Sequence, residues 1–510
     1  MVERKSRLGK RKAPRFAAPP WNCEHPRWQE LDRELPADHV ARKVAKAMEH
    51  LAWSGLYASY TASGSPATDP LLMLRIVLIE LRRGRFRPQH WYQDTRENDA
   101  LKWAGFGIQP SRTAWYAFYD RVAPVLETWN LQVAEQAIAA EVTDGAQVSL
   151  DGSSVAANAS RHRLINEERL TRRQEQLAAA CAADKEEAPV SDPPAWMATT
   201  PATRHAQSKR YQRARDRLQE LQAVNARQDR HRRREAKRIV VSTSDPEAAL
   251  GRDKFKVFRP LYNVQLARDV NSSLILASEV FAQPTDAGTL KPMLGKLQSI
   301  RGLKLRKLLV DADYVTANHL AQCAQAGVTL VGPWQENDAS PRKKPKAPKR
   351  LGKEQFTWQA DEEVYVCPQG HRLHWIGQQK RRQADGEINV VHSYGCSPKD
   401  CCACPLSSRC TTNPKRGRAV KRSEHEDLVE AHRAWMATDE AKALYKKRKQ
   451  TVELGFADVK EHRGLRRFPW RGLERARTHI GLLVLVHNLL TYSEAIAAKQ
   501  HEPNTLNRAA

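Results

Sequence analysis

From Ala146 onward the apolar residues stop recurring at three and four and begin to alternate, and the segments that follow come in a fixed order. Gln147 to Leu150, Leu261 to Ala267 and Ser273 to Phe281 read as strands, the last two joined by a short turn with Asp269, Asn271 and Ser272 and therefore an antiparallel hairpin. A helix from Thr289 to Ile300, a strand from Lys307 to Val310, a helix from Ala317 to Gln325 and a strand from Thr329 to Gly332 complete the series. The first strand is expected to end in Asp151-Gly152, and the fourth in Asp311-Ala312-Asp313-Tyr314. An Asp before Gly is an ordinary turn former, so Asp151 needs partners to mean more.

Three strands, helix, strand, helix, strand is the order of the ribonuclease-H-like core, an α/β fold with a mixed five-stranded sheet. The ends of adjacent strands converge in such a sheet. Asp151 and Asp311, 160 positions apart, can then come within metal-bridging distance.

Two long stretches interrupt the core. Residues 161–238 form a charged helical pair broken by APVSDPP (Ala188 to Pro194), and the second arm is heavy in Arg, up to Arg230, Arg232, Arg233 and Arg234. This fits a solvated or partly disordered hairpin, or equally a phosphate-neutralising surface. The Pro- and Lys/Arg-rich linker Asn337 to Gly352 leads into the other insert, where six of the nine cysteines fall between Cys367 and Cys410. Cys367 sits in CPQGH, and Cys401, Cys404 and Cys410 are spaced C-x2-C-x5-C. Four thiolates from two loops suit tetrahedral zinc, which a small loop-rich module needs in place of a hydrophobic core. Cys396, Cys402 and His371 are spare candidates, and unligated reduced thiols are the plain alternative.

The first 20 residues are a basic tail, and residues 21–140 read as an all-helical domain. Helices are expected over Asp38 to Leu51, Asp69 to Arg83, Trp91 to Trp103 and Ser111 to Ala139, with Asp69-Pro70 a cap and first-turn pair. Arg82, Arg83, Arg85 and Arg87 share a turn, which suits a DNA-reading module as well as a packed domain without a ligand.

Near the other end, Leu444 to Gly464 places Tyr445, Arg448, Lys449, Val452, Phe456 and Lys460 at helical spacing. Glu453 is the anomaly among these cations. It reads either as a metal-holding carboxylate or as part of a solvated Glu–Lys face. In GLRRFPWRGLER (Gly464 to Arg475) Phe468 and Trp470 interleave with Arg, able to stack on bases or to anchor an Arg-rich loop in the core. Thr478 to Ala495 reads as a buried apolar helix.

A net charge of +26 calls for a polyanionic partner, with nucleic acid favoured over an acidic membrane surface. The longest apolar run, Ile480 to Val486, is too short to span a bilayer, and the N-terminus lacks the apolar core of a secretory signal. Glu3 and the lack of an apolar face argue against a transit peptide. A cytoplasmic, reducing location follows, where clustered cysteines point to metal before disulfides.

In order along the chain, DPLLMLRIVLIELRRG, VSLDGSSVAANAS, STSDPEAALGRDKFKVFRPLYNVQLARD, LLVDADYVT, CPQGH with CCACPLSSRC, YKKRKQTVELGFADVK and RGLRRFPWRGLERARTHIGLLVLVHNL resemble the DDE-type insertion-sequence transposases of bacteria. The subgroup is the one with a cysteine-rich insert before the catalytic glutamate. The resemblance implies a metal-binding triad of Asp151, Asp311 and Glu453, serving two Mg2+ (or Mn2+) ions. It implies that Tyr445, Arg448 and Lys460 belong to the signature around the glutamate, and that Lys449, Arg466, Arg467 and Arg471 join them on DNA. Two departures stand out: Asp313 occupies a place where the family usually has Gly, and the step from Tyr445 to Glu453 is one residue longer than the common pattern, leaving Arg448 or Lys449 as the equivalent basic residue.

The implied organisation is a tail (1–20), a helical DNA-binding domain (21–140), the first part of the catalytic core (141–335), the basic linker and cysteine insert with structural Zn2+ (336–425), the rest of the core (426–497) and a tail (498–510). The implied activity is metal-dependent cleavage at the terminal inverted repeats of an insertion sequence and strand transfer into target DNA. A homodimer pairing two ends, associated with the bacterial nucleoid and not with a membrane, goes with it. The rivals are a nuclease of the same fold that cuts without joining and a non-catalytic zinc-containing DNA-binding protein derived from a transposase.

Overall fold

The computed structural model describes residues 14–501 except 62–63, 191, 229, 254, 336–350, 383–386, 458–459 and 461–463; the side chains of Arg232, Arg381, Lys449, residues 452–455 and His501 are also outside it. Most of the basic tail, nearly all of the linker and the last nine residues therefore lie outside the described residues.

In the N-terminal domain, β1 (Phe16–Ala17) and β2 (Ala67–Thr68) pair in parallel. Around them stand α1 (Pro26–Glu34), α2 (Val40–Ala47), α3 (Pro70–Arg82), α4 (Pro88–Glu97), α5 (Asp99–Ala104), α6 (Arg112–Val122) and α7 (Leu126–Ala139). The Asp69 side chain accepts from the Leu71 amide at 2.7 Å, so α3 starts where its cap and Pro70 place it. Two of the expected helices are each two helices. Asn98 leaves the helical backbone and its side chain caps Leu101, splitting α4 from α5, while Pro124 lies in the 3-10 turn between α6 and α7. Helix α1 was not anticipated, because it buries only Leu31 and so has no apolar stripe to read. In the basic turn Arg85 grips Asp94 and Arg83 pairs with Glu80, so at least these two cations serve the fold.

The central sheet contains β3 (Gln147–Ala156), β6 (Ala249–Arg252), β7 (Phe258–Asp269), β8 (Ile275–Phe281), β9 (Lys307–Leu309) and β10 (Thr329–Val331). Its order is β10-β9-β3-β7, and the far edge of β7 is shared by β6 along its first residues and β8 along the rest. Strands β9 and β10 run parallel to β3, and β7 antiparallel. Six strands stand where five were expected, since Ala-Leu-Gly-Arg at 249–252 has no strand alternation and is drawn into the sheet by pairing with β7. Helices α10 (Leu290–Gln298) and α11 (Ala317–Gln325) make the crossovers.

Strand β3 does not end at Asp151. It continues to Ala156, held by a ladder to β7 in which Asp151 faces Leu266 and Gly152 faces Gln265. Gly152 serves close approach here, not a turn: a Cβ would stand 2.0 Å from Asp286 Oδ1 and 2.1 Å from Gln265 Nε2.

The first insert is a helical hairpin, α8 (Glu167–Lys185) and α9 (Pro201–Ala226), closed at its base by antiparallel β4 (Leu164–Ile165) and β5 (Val241–Ser242). It has its own small core, including Leu170, Leu177, Tyr211, Ala214 and Leu218. The second insert corrects the expectation of a module without a hydrophobic core. It is an antiparallel sheet of β11 (Thr357–Gln359), β12 (Val364–Val366), β13 (Arg372–Arg382), β14 (Ile388–Gly395) and β15 (Ala419–Ser423), with Phe356, Tyr365, Leu373, Tyr394 and Val420 inside. Two short helices, α12 (Pro398–Ala403) and α13 (Ser407–Cys410), carry cysteines between β14 and β15.

Helices α14 (Glu426–Met436), α15 (Asp439–Ala457) and α16 (Leu473–His501) finish the core. By length and composition alone α16 could cross a bilayer, but it packs against α2, α3, α7 and β8 and joins the helical domain to the sheet in one apolar core.

Candidate active site

In the parallel pairing of β3 with β9, Ser149 lies beside Leu309. Two residues further along each chain stand Asp151 and Asp311, so the register brings two distant carboxylates to one level of the sheet. Helix α15 crosses this face: Leu444 packs with Leu309 and Val331, and the Thr451 carbonyl accepts from Arg268 Nη1 at 2.5 Å. One turn beyond Leu444, Arg448 enters between the carboxylates, 3.2 Å from Asp151 Oδ1 and 3.9 Å from Asp311 Oδ2. Burial raises Asp151 to about 6 even against the pull of Arg448. Burial likewise raises Tyr445, which faces Arg448 and Asp311.

Asp313 is not part of this pair; it is exposed and accepts from Gln335 Nε2 at 2.7 Å. Glu453 belongs to α15, and its side chain lies outside the described residues, as does that of Lys449. Lys460 is buried, its Nζ donating to Ser153 Oγ and, at 2.9 Å, to the Ser154 carbonyl, on the β3 segment just past Asp151.

The loop that follows is zipped to the end of β3. The Ala156 amide donates to the Arg466 carbonyl, Arg467 donates to the carbonyls of Ala157 and Ala159, and Arg471 to that of Asn158. Arg466, Arg467 and Arg471 are all exposed, and the last two are also positioned by these bonds. Phe468 and Trp470 are core residues and not base-stacking platforms: Phe468 meets Tyr262 edge-on, and Trp470 stacks on Tyr119 with centroids 4.0 Å apart.

Two residues of the site were missed in the sequence. Arg268, at the end of β7, holds α15 through Thr451; its only signal was a cation closing an apolar strand. Asp286 accepts from Asn263 Nδ2 at 2.8 Å and Gln265 Nε2 at 2.7 Å, and packs where Gly152 has no side chain, on the sheet face opposite Asp151. It lies in a loop that no periodicity marks.

In the second insert, Cys367, Cys396, Cys401, Cys404, Cys410 and His371 line one small cavity, and exposed Cys402 does not. The Arg418 amide donates to Cys401 Sγ at 3.2 Å, and burial with the neighbouring Cys401 thiol pushes Cys396 up to about 12. Among the described residues no three His, Cys, Asp or Glu side chains are already arranged to hold a metal ion, here or at Asp151.

Residues 366–492, about one quarter of the chain, match the family model described as the transposase DDE domain. The match supports a DDE-type transposase. The matched stretch contains Glu453 and all the cavity cysteines, while Asp151 and Asp311 lie upstream of it. A transposase DDE domain implies a ribonuclease-H-like core, and the strand order here is in keeping with one. Such transposase domains generally use divalent metals. Asp151 and Asp311 fit that chemistry, as two carboxylates from adjacent strands already sharing one cation. No curated protein matches the chain.

Proposed function

We propose that the chain is a DNA transposase that binds the terminal inverted repeats of a mobile element, cleaves the strand there and joins its 3′ end to target DNA. The observation that carries this reading is the pairing of Asp151 with Asp311 under α15, the helix that bears Glu453. These three carboxylates would hold Mg2+ or Mn2+. When bound, such ions activate the attacking oxygen and neutralise the leaving one.

The chain's own residues do the rest. Asp151 sits on a strand braced on both sides, so its position is fixed before DNA arrives. Arg448 balances the two carboxylates, and moving it aside frees them for the ions while adding a cation for a phosphate. Arg268 keeps α15 seated on the sheet. Lys460 and the arginines of 466–471 continue a positive track beyond Ser153. In the second insert Cys367, Cys401, Cys404 and Cys410 would hold a structural zinc ion, with Cys396 and His371 in the same cavity.

The test is incubation of purified protein with labelled DNA from the ends of its own element, with and without Mg2+ or Mn2+, beside Asp151→Asn and Glu453→Gln. Metal-dependent nicking at the end and joined products, both lost in the variants, support the reading. Nicking without joining would mean a nuclease, and binding without nicking a non-catalytic DNA-binding protein. Metal analysis of reduced protein tests the zinc; less than about half an equivalent counts against it.

A further inference from the structure

The helical hairpin α8–α9 stands outside the chemistry just described, and its two arms differ in charge. Residues 161–203 carry six Lys or Arg against seven Asp or Glu, whereas residues 204–238 carry thirteen against four. A merely solvated helix mixes its signs as the first arm does; the second does not.

Part of that charge is taken up by the fold. Arg204 pairs with Asp184, Arg215 is bonded to Gln174 and Thr171, and Arg217 pairs with Glu220. Among the described residues Lys209, Arg210, Arg213 and Arg227 form no ion pair, and all but Arg210 are exposed. The opposite side of α9 is committed to the hairpin core through Tyr211, Ala214 and Leu218. Burial first, then the charge of Arg471 on the loop zipped to β3, lowers the pKa of Arg210.

Strand β3 sets the scale. Arg448 meets it at Asp151, Lys460 at Ser153 and Ser154, Arg467 and Arg471 just past its end at 157–159, and Arg210 senses the charge of Arg471. The five steps from Asp151 to Ala156 span about 17 Å at ~3.3 Å per residue. That is about five steps along one DNA strand at ~3.4 Å each.

We propose that α9 is a second grip on the duplex, contacting its phosphate backbone through Lys209, Arg210 and Arg213 at about five or more base pairs from the bond that is cut. The inference rests on the transposase reading for the identity of the DNA. The hairpin then fixes the register of the cut by holding the flank, while Asp151 and Asp311 hold its centre.

The experiment compares wild type with the triple variant Lys209→Gln, Arg210→Gln, Arg213→Gln on duplex from the element's own end. Equilibrium binding is measured at several salt concentrations, with hydroxyl-radical footprinting at one of them. The triple variant should lower the slope of log K against log salt by about two to three, at ~0.9 per phosphate contact. Its footprint should lose protection on the flank and keep it at the cut. An unchanged slope and footprint, with a wild type that binds and cuts, would overturn the hairpin grip alone. A wild type that binds no duplex would overturn the transposase reading and the grip with it. If the triple variant melts early, the exposed single variant Lys209→Gln replaces it; a slope lower by about one supports the grip and no change overturns it.

Discussion

Asp151 and Asp311 share one cation: the Arg448 guanidinium lies 3.2 Å from the first and 3.9 Å from the second, although the aspartates are 160 positions apart. The parallel register of Ser149 with Leu309 brings them together, and α15 supplies the counter-charge. Two carboxylates this close together favour a cation between them, and Arg448 provides one.

Replacing either aspartate by Asn should therefore remove metal-dependent strand cleavage. Metal stabilisation of the transition state is worth several kcal/mol, so the rate should fall by about two to four orders of magnitude. Asp313→Asn, at an exposed residue bonded to Gln335, should cut within a few-fold of wild type. Retained cleavage in Asp311→Asn with loss in Asp313→Asn would show that the wrong aspartate has been assigned.

Arg448→Gln should make the fold more dependent on divalent metal. Without the guanidinium the two carboxylates repel, so the melting temperature in chelator should drop, and added Mg2+ should raise it more than in wild type. Thermal melts with and without Mg2+ check this; identical metal-induced shifts in the two proteins would contradict it.

Gly152→Ala should destabilise the protein without touching Asp151. The added methyl group meets Asp286 Oδ1 and Gln265 Nε2 on the opposite face of β3. Overpacking of this kind costs about 1–3 kcal/mol, which denaturant unfolding would show.

Trp470→Ala separates a core aromatic from a base-stacking one. Its stacking on Tyr119 and near-complete burial put the cost at about 3–5 kcal/mol of stability. The DNA affinity of the protein that remains folded should be unchanged. A loss of affinity with an unaltered melting curve would place the indole on DNA after all.

Stability should fall as pH rises through the range set by Glu80. Burial, with Asp94 next to it, raises this carboxyl from its ordinary range to about 8. The folded protein thus keeps a proton that the unfolded chain gives up, so the contribution is fully present below the usual carboxylate range and is lost as pH climbs through about 8. In Glu80→Gln the decline in melting temperature from pH 6 to pH 9 should be shallower than in wild type.

Much of the central sheet and its helices was legible in the sequence because their signals are local. Strand alternation, Asp69-Pro70 at a helix start and the Ala317–Gln325 helix each depend on residues within a few positions of one another. The two aspartates that Arg448 joins could be singled out because each follows a short, mostly apolar run, Val148 to Leu150 and Leu308 to Val310. What tertiary structure decided was everything set by a partner distant in sequence. The long ladder to β7 keeps Asp151-Gly152 extended where local preference favours a turn, and the same strand recruits 249–252 as a sixth. Phe468 and Trp470 are core and not nucleic-acid platforms because Tyr262 and Tyr119 close over them. Asp286 and Arg268 had no pattern to reveal them, because their roles come from what packs against them: a strand glycine and a helix carbonyl far away in the chain. Spacing along a chain fixes which residues share a face, but only the packed sheet fixes which faces meet.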